Sequence, residues 1–140
     1  MSEPNKPKLF TVEEANALLV KVEPLVEQLK GLYHSIVKTN REIDEVIAKL
    51  SAGNGYPIRE LNDRLEELTK HQLQLVEAYQ SAIEQLEGLG AFLKDAEKGL
   101  IDFYTLRDDQ VAFLCWCLGE ASIQFWHTLE DGFAGRKPLK

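Results

Sequence analysis

The sequence predicts an α+β fold, mainly α: a long antiparallel coiled-coil helical hairpin followed by a small antiparallel β-meander and a C-terminal helix. Two apolar stripes carry the hairpin. One runs Leu19, Val22, Val26, Leu29, Tyr33, Ile36, Asn40, Ile43, Ile47, Leu50, and the other Ile58, Leu61, Leu65, Leu68, Gln72, Leu75, Tyr79, Ala82, Leu86, Leu89. Both step by alternating threes and fours, the seam of a left-handed coiled coil. Facing them antiparallel pairs Leu50 with Ile58, Ile36 with Gln72 and Leu19 with Leu89, each pair symmetric about Asn54. Past Gly90 the apolar residues come in short aromatic and branched segments, the pattern of strands.

Taken in order, residues 1–10 form a loose leader, with Pro4 and Pro7 among polar residues. The hairpin fills 11–89 and the C-terminal module 90–140, within the single domain expected for 140 residues. Thr11 and Glu14 make a capping box, with Phe10 placed to staple onto the first turn. Pro24 falls at an outward heptad position. It removes the bond to the Val20 carbonyl, and is expected to kink the arm or split it in two. Residues 51–57, rich in types that accept positive φ, form the loop, with Pro57 set to open the next helix at its first position. At about 1.5 Å per residue the span from Pro57 to Leu89 covers roughly 50 Å, so the tip is expected to project into solvent. Gly88 and Gly90 provide the C-cap. The expected strands are Ala91–Asp95, Leu100–Tyr104 and Val111–Trp116. Gly119 to about Glu130 is expected to be helical, with Ile123, Trp126 and Leu129 on one face, and the Gly- and Pro-rich tail irregular.

Two polar residues interrupt the seam. Asn40 and Gln72 lie in adjacent layers and are expected to bond each other, fixing register at some cost in stability. The seam's flanks are polar near the loop (Asp44, Asn62, Arg64) and apolar towards the open end (Leu25, Leu32, Val37, Val76, Ala78, Ile83). A stripe that wide needs a cover, either the C-terminal module or a second subunit completing a four-helix bundle.

Composition excludes several classes. Hydrophobic content of 44% with 28% charged residues is that of a soluble globular chain, and no apolar run is long enough to span a bilayer. A net charge of −7 argues against nucleic acid and against anionic membrane surfaces as partners. Arg41, Lys49, Arg59 and Arg64 near the loop are outweighed by Glu42, Asp44, Glu45, Glu60, Asp63, Glu66 and Glu67, a solvated charged face. The first residues lack the apolar core of a secretory signal. Cys115 and Cys117 sit too close along one strand for a disulfide, and a cytoplasmic location is expected.

Chemistry-bearing side chains concentrate in the last third: Lys94, Asp95, Glu97, Asp102, Cys115, Trp116, Glu120, Trp126, His127 and Arg136. A metal reading draws on Asp102, Glu120 and His127, joined by Cys115, Cys117, Asp95 or Glu97. Spacing opposes it, because Glu120 and His127 stand two turns apart on the expected helix and the cysteines lack a two-residue gap. No cofactor is indicated by motif. An acid/base reading makes His127 the titrating group, with Glu120, Asp102 or Glu97 beside it and no nucleophile motif. A structural reading pairs Arg136 with Glu120, Asp102 or Asp131 and puts Trp116 and Trp126 in the core. His34 and His71 fall outside the seam and are expected to be solvated.

Four stretches, LFTVEEANALLVKVEPLV, LKDAEKGLIDF, FLCWCLGE and FWHTLEDGFAGRKPL, together resemble an uncharacterised bacterial family, domain of unknown function 2203, over nearly the whole chain. The resemblance implies a small bacterial protein with a helical hairpin and a compact C-terminal module, and it carries no activity. Two functions are therefore expected in turn. The leading one is a cytoplasmic interaction protein that uses the hairpin as a homodimer contact or to hold a partner helix. The alternative is a small-ligand- or metal-binding enzyme, with Asp102, Glu120 and His127 as catalytic candidates and Asp95, Glu97, Trp116, Trp126 and Arg136 around them.

Overall fold

A computed structural model describes residues 8–53 and 55–140; most of the leader, and the centre of the fold-back at Asn54, lie outside the described residues. Helix α1 spans Val12–Ala52 and helix α2 spans Ile58–Gly88. Five strands follow: β1 (Ala91–Asp95), β2 (Leu100–Arg107), β3 (Gln110–Cys117), β4 (Phe125–Thr128) and β5 (Lys137–Pro138). They form one antiparallel meander in chain order. The chain divides into two compact units, Met1–Lys30 with Ala82–Lys140, and Gly31–Ser81. The boundaries between the units fall within α1 and α2.

The first unit holds nearly all of the core. Ala15, Leu19, Val22, Val26 and Leu29 of α1 are buried with Ala82 and Leu86 of α2 and with Ala91, Ile101, Phe103, Leu114 and Trp116 of the sheet. The capping box forms as expected: Thr11 N–H donates to Glu14 at 2.9 Å and Glu14 N–H to the Thr11 hydroxyl at 3.1 Å. These bonds, the backbone one first, hold the Glu14 carboxyl below its ordinary range. Phe10 goes further than a staple. It packs edge-on against Phe103 with ring centroids 5.2 Å apart, and its backbone binds Tyr104 and the Thr105 hydroxyl. Gly90, at φ +98°, is required there, since a Cβ would run into the Phe10 ring. Asn16 receives the Ile123 N–H at 2.8 Å, tying the chain after β3 to the first turns of α1. Through these contacts the C-terminal module packs against the start of α1.

Three expectations differ from the structure here: the split at Pro24, the helix over 119–130 and the irregular tail. Helix α1 passes Pro24 without being split. Val20, whose carbonyl loses its partner, is 83% exposed, so water can replace the missing bond. The helix expected over 119–130 is absent. Phe125, Trp126, His127 and Thr128 instead form β4, and the only helical piece of the tail is a 3-10 turn at Phe133–Gly135. Aromatic and β-branched residues in succession favour an extended strand, and Leu129, needed for the helical stripe, is 50% exposed. The tail is also more regular than its glycines and prolines imply, because β5 pairs Pro138 with Phe125 at the sheet edge, where proline is tolerated.

The second unit is an antiparallel pair of helical segments. Gln72 Nε2 donates to the Ile36 carbonyl at 3.0 Å, the facing pair read from the stripes, and Arg64 reaches Glu42 at 3.0 Å. The expected Asn40–Gln72 bond does not form. Asn40 is exposed, and Thr39 is buried in its stead at 4% exposure. Burying one hydroxyl costs less than burying a carboxamide with two donors and an acceptor. Val46 likewise takes the inner place of Ile47, which is 46% exposed.

Candidate functional site

The candidate site is built on the sheet of the first unit. In an antiparallel pair, residues directly opposite share a face, and alternate residues along a strand share it too. Asp102 faces Cys115, Cys115 faces Phe125, and Phe113 faces His127. One face therefore carries Asp102, Phe113, Cys115, Phe125 and His127. The opposite face carries Ile101, Phe103, Leu114 and Trp116, buried in the core.

Asp102, Cys115 and His127 are all buried, and one oxygen, sulfur and nitrogen of theirs lie within 4.8 Å of one another. His127 Nε2 stands 3.0 and 3.1 Å from the two carboxylate oxygens of Asp102. His127 Nδ1 lies 2.8 Å from the Thr128 carbonyl. A carbonyl only accepts, so Nδ1 carries a proton and Nε2 is the nitrogen turned to the carboxylate. Burial pushes the Asp102 carboxyl above its ordinary range, opposed by the charge and hydrogen bond of His127. Burial, with Asp102 beside it, pushes the Cys115 thiol up to about 12. Cys115 is thus a protonated thiol at neutral pH, not an activated nucleophile. Phe113 borders the group, its ring 5.3 Å from that of His127 and under the Lys94 ammonium at 4.8 Å.

A second polar group adjoins the first. Arg136 Nη2 donates to both oxygens of Glu120, at 2.8 and 3.0 Å, and Glu120 also accepts the Cys117 N–H at 2.8 Å. The guanidinium lies 3.9 Å from the centroid of Phe125 and 4.8 Å from that of Phe133. Its Nε is buried with no hydrogen-bond partner. Of the partners open to Arg136, Glu120 is the one it takes, and the pair pins the tail across the sheet.

The remaining candidates are dispersed. Asp95 accepts the Lys98 N–H at 3.0 Å and shapes the β1–β2 turn, where Glu97 is exposed. Trp116 is fully buried and donates its indole N–H to the Glu120 carbonyl at 2.9 Å. Trp126 is half-buried under Arg107 at 4.7 Å and Lys137 at 5.2 Å. A surface cleft of about 590 Å³ is lined by Val12, Arg107, Ile123, Phe125 and Leu139, and Asp102, Glu120 and His127 take no part in it. The sequence offers Asp102, Glu120 and His127 with Cys115 among the added candidates; the structure joins Cys115, not Glu120, to Asp102 and His127. Alternation would have found it, since Phe113, Cys115 and Phe125, His127 step by two in strand-forming stretches.

A two-helix hairpin followed by a five-stranded antiparallel meander is the class of protein that these elements define. No helix among the described residues is long and apolar enough to cross a membrane. The chain belongs to the family described as uncharacterized conserved protein, DUF2203, whose model matches residues 8–139. No curated protein and no solved structure matches it.

Proposed function

We propose that this chain is a small cytoplasmic interaction protein of bacterial origin that self-associates through one side of its hairpin unit. The observation that carries this reading is a contrast between the two sides of Gly31–Ser81. Ile36 sits opposite Gln72, and one residue further along each antiparallel helix turns to the same side. That brings Val37, 38% exposed, level with Leu73, 59% exposed. By the same spacing Tyr33, Asn40, Ile47, Thr69 and Val76 fall on that side, with Asp44 and Glu66 as its charges. The other side is a groove lined by Lys38, Glu42, Arg64, Glu67 and His71 among others.

Burial within the unit supports a second copy as the occupant. Among its described residues Thr39, Val46 and Leu68 are the buried side chains, while Ile36, Ile43, Leu61, Leu65 and Leu75 stay half-buried. Two helices cannot enclose a seam, whereas four can, and stacking two such hairpins is the usual solution. The free thiols of Cys115 and Cys117 fit a reducing compartment.

Sedimentation equilibrium of the full chain tests the reading. The wild type is expected to be a dimer, and Leu73→Glu a monomer with unchanged far-ultraviolet circular dichroism. A wild type that stays monomeric at high concentration, or a Leu73→Glu variant that still dimerises, overturns it.

A further inference from the structure

The buried face of the sheet offers a chemistry that the hairpin does not use. Three donors of different kinds, a carboxylate oxygen, a thiol sulfur and an imidazole nitrogen, come from β2, β3 and β4, and converge within 4.8 Å. We propose that Asp102, Cys115 and His127 Nε2 form a binding site for a divalent metal ion of the zinc class. This inference rests on the sheet alone and stands or falls independently of hairpin association.

The tautomer makes the first argument. Nδ1 donates to the Thr128 carbonyl at 2.8 Å, so a neutral His127 presents a bare lone pair at Nε2. That lone pair points at two carboxylate oxygens 3.0 and 3.1 Å away. Two acceptors hold such an approach only with a cation between them, a proton or a metal ion. An imidazole oriented by a backbone carbonyl on its far nitrogen is the arrangement by which proteins aim a histidine at a metal.

Distances and charge make the second. Zinc bonds of about 2.0–2.3 Å in a tetrahedral shell set donors roughly 3.3–3.7 Å apart. The nitrogen and oxygen need part only by a few tenths of an ångström, and the sulfur need close by about 1 Å at most. Asp102 and a Cys115 thiolate together neutralise a divalent cation, leaving no net charge on a face where all three residues are buried. The sulfur and nitrogen select zinc-class ions over magnesium or calcium, which prefer oxygen. Binding displaces the thiol proton of Cys115 and whichever proton His127 shares with Asp102 to solvent. Three protein ligands supply three of the four positions of a tetrahedral shell.

The test uses the untagged full chain, stripped with a chelator and titrated with cobalt(II) and with zinc(II). One ion per chain is expected, with the visible bands of tetrahedral cobalt and a thiolate-to-cobalt charge-transfer band, both abolished by stoichiometric zinc. Cys115→Ser is expected to lose the charge-transfer band and bind at least roughly tenfold more weakly. Cys117→Ser is expected to match the wild type. Asp102→Asn, nearly isosteric, supplies a second probe should Cys115→Ser misfold, and it too is expected to bind at least roughly tenfold more weakly. No uptake by the wild type, or a charge-transfer band that survives in Cys115→Ser, overturns the proposal and leaves a proton as the cation between His127 and Asp102.

Discussion

The two units of this chain are made from the same pair of helices and are stabilised by different means. In the first, α1 and α2 contribute Val22, Val26, Leu29, Ala82 and Leu86 to a core closed by Phe103, Leu114 and Trp116, and these side chains lose essentially all contact with water. In the second, the same heptad pattern continues, yet most seam residues keep part of their surface. Periodicity is equal in both; enclosure is not. Helices gain most of their stability in proteins from packing rather than propensity, so the first unit is expected to hold its structure alone and the second to be the weaker.

The largest effect that sharpens this contrast is a core truncation in each unit. Phe103→Ala is expected to lower stability by about 3–5 kcal/mol in urea unfolding, because its cavity cannot be filled by water or by movement of a packed sheet. Leu68→Ala, buried at 4% exposure but flanked by half-hydrated neighbours, is expected near the lower end of the usual 2–5 kcal/mol range. Equal losses at the two sites would erase the distinction between the units.

A smaller effect lies within α1. Pro24→Ala restores the N–H that binds the Val20 carbonyl and relieves the ring's clash with it. Thermal unfolding is expected to show a gain of about 1–3 kcal/mol. No gain would mean that the exposed Val20 carbonyl is as well served by water as by an amide.

The smallest effect concerns the hairpin's polar layer. Gln72 spends one amide hydrogen on Ile36 and leaves its buried Oε1 without a partner. Gln72→Leu removes that unsatisfied acceptor, and is expected to stabilise the hairpin by about 1 kcal/mol while weakening the preference for one register. Denaturation of the variant checks the sign; a loss would show that the Ile36 bond outweighs the orphaned oxygen.

How much of this was legible in the sequence differs along the chain in the same way. A heptad stripe is a one-dimensional signal, and pairing Ile36 with Gln72 follows from it directly. Which of two neighbours turns inward does not follow, as Thr39 and Asn40 show, because both lie near the seam and only the desolvation cost separates them. The first three strands are visible in their branched and aromatic runs, but β4 is hidden. Phe125–Thr128 is short, follows Gly119 and Glu120 in a plausible helix start, and is held extended by pairing with β3. A helix over 119–130 sets Glu120 and His127 two turns apart and leaves His127 without partners, whereas the sheet brings Asp102 and Cys115 to it from 25 and 12 positions earlier. Such contacts leave no trace in a helical period, and follow from the two-residue step only once Phe125–Thr128 is read as a strand beside β3.

Amide hydrogen exchange at low and high protein concentration tests the central claim, that the hairpin unit is completed by a second copy, most directly. Protection across Gly31–Ser81 is expected to rise with concentration, while Leu100–Cys117 stays equally protected in both samples. Protection in the hairpin that is already high when dilute, and does not change on concentration, would contradict it.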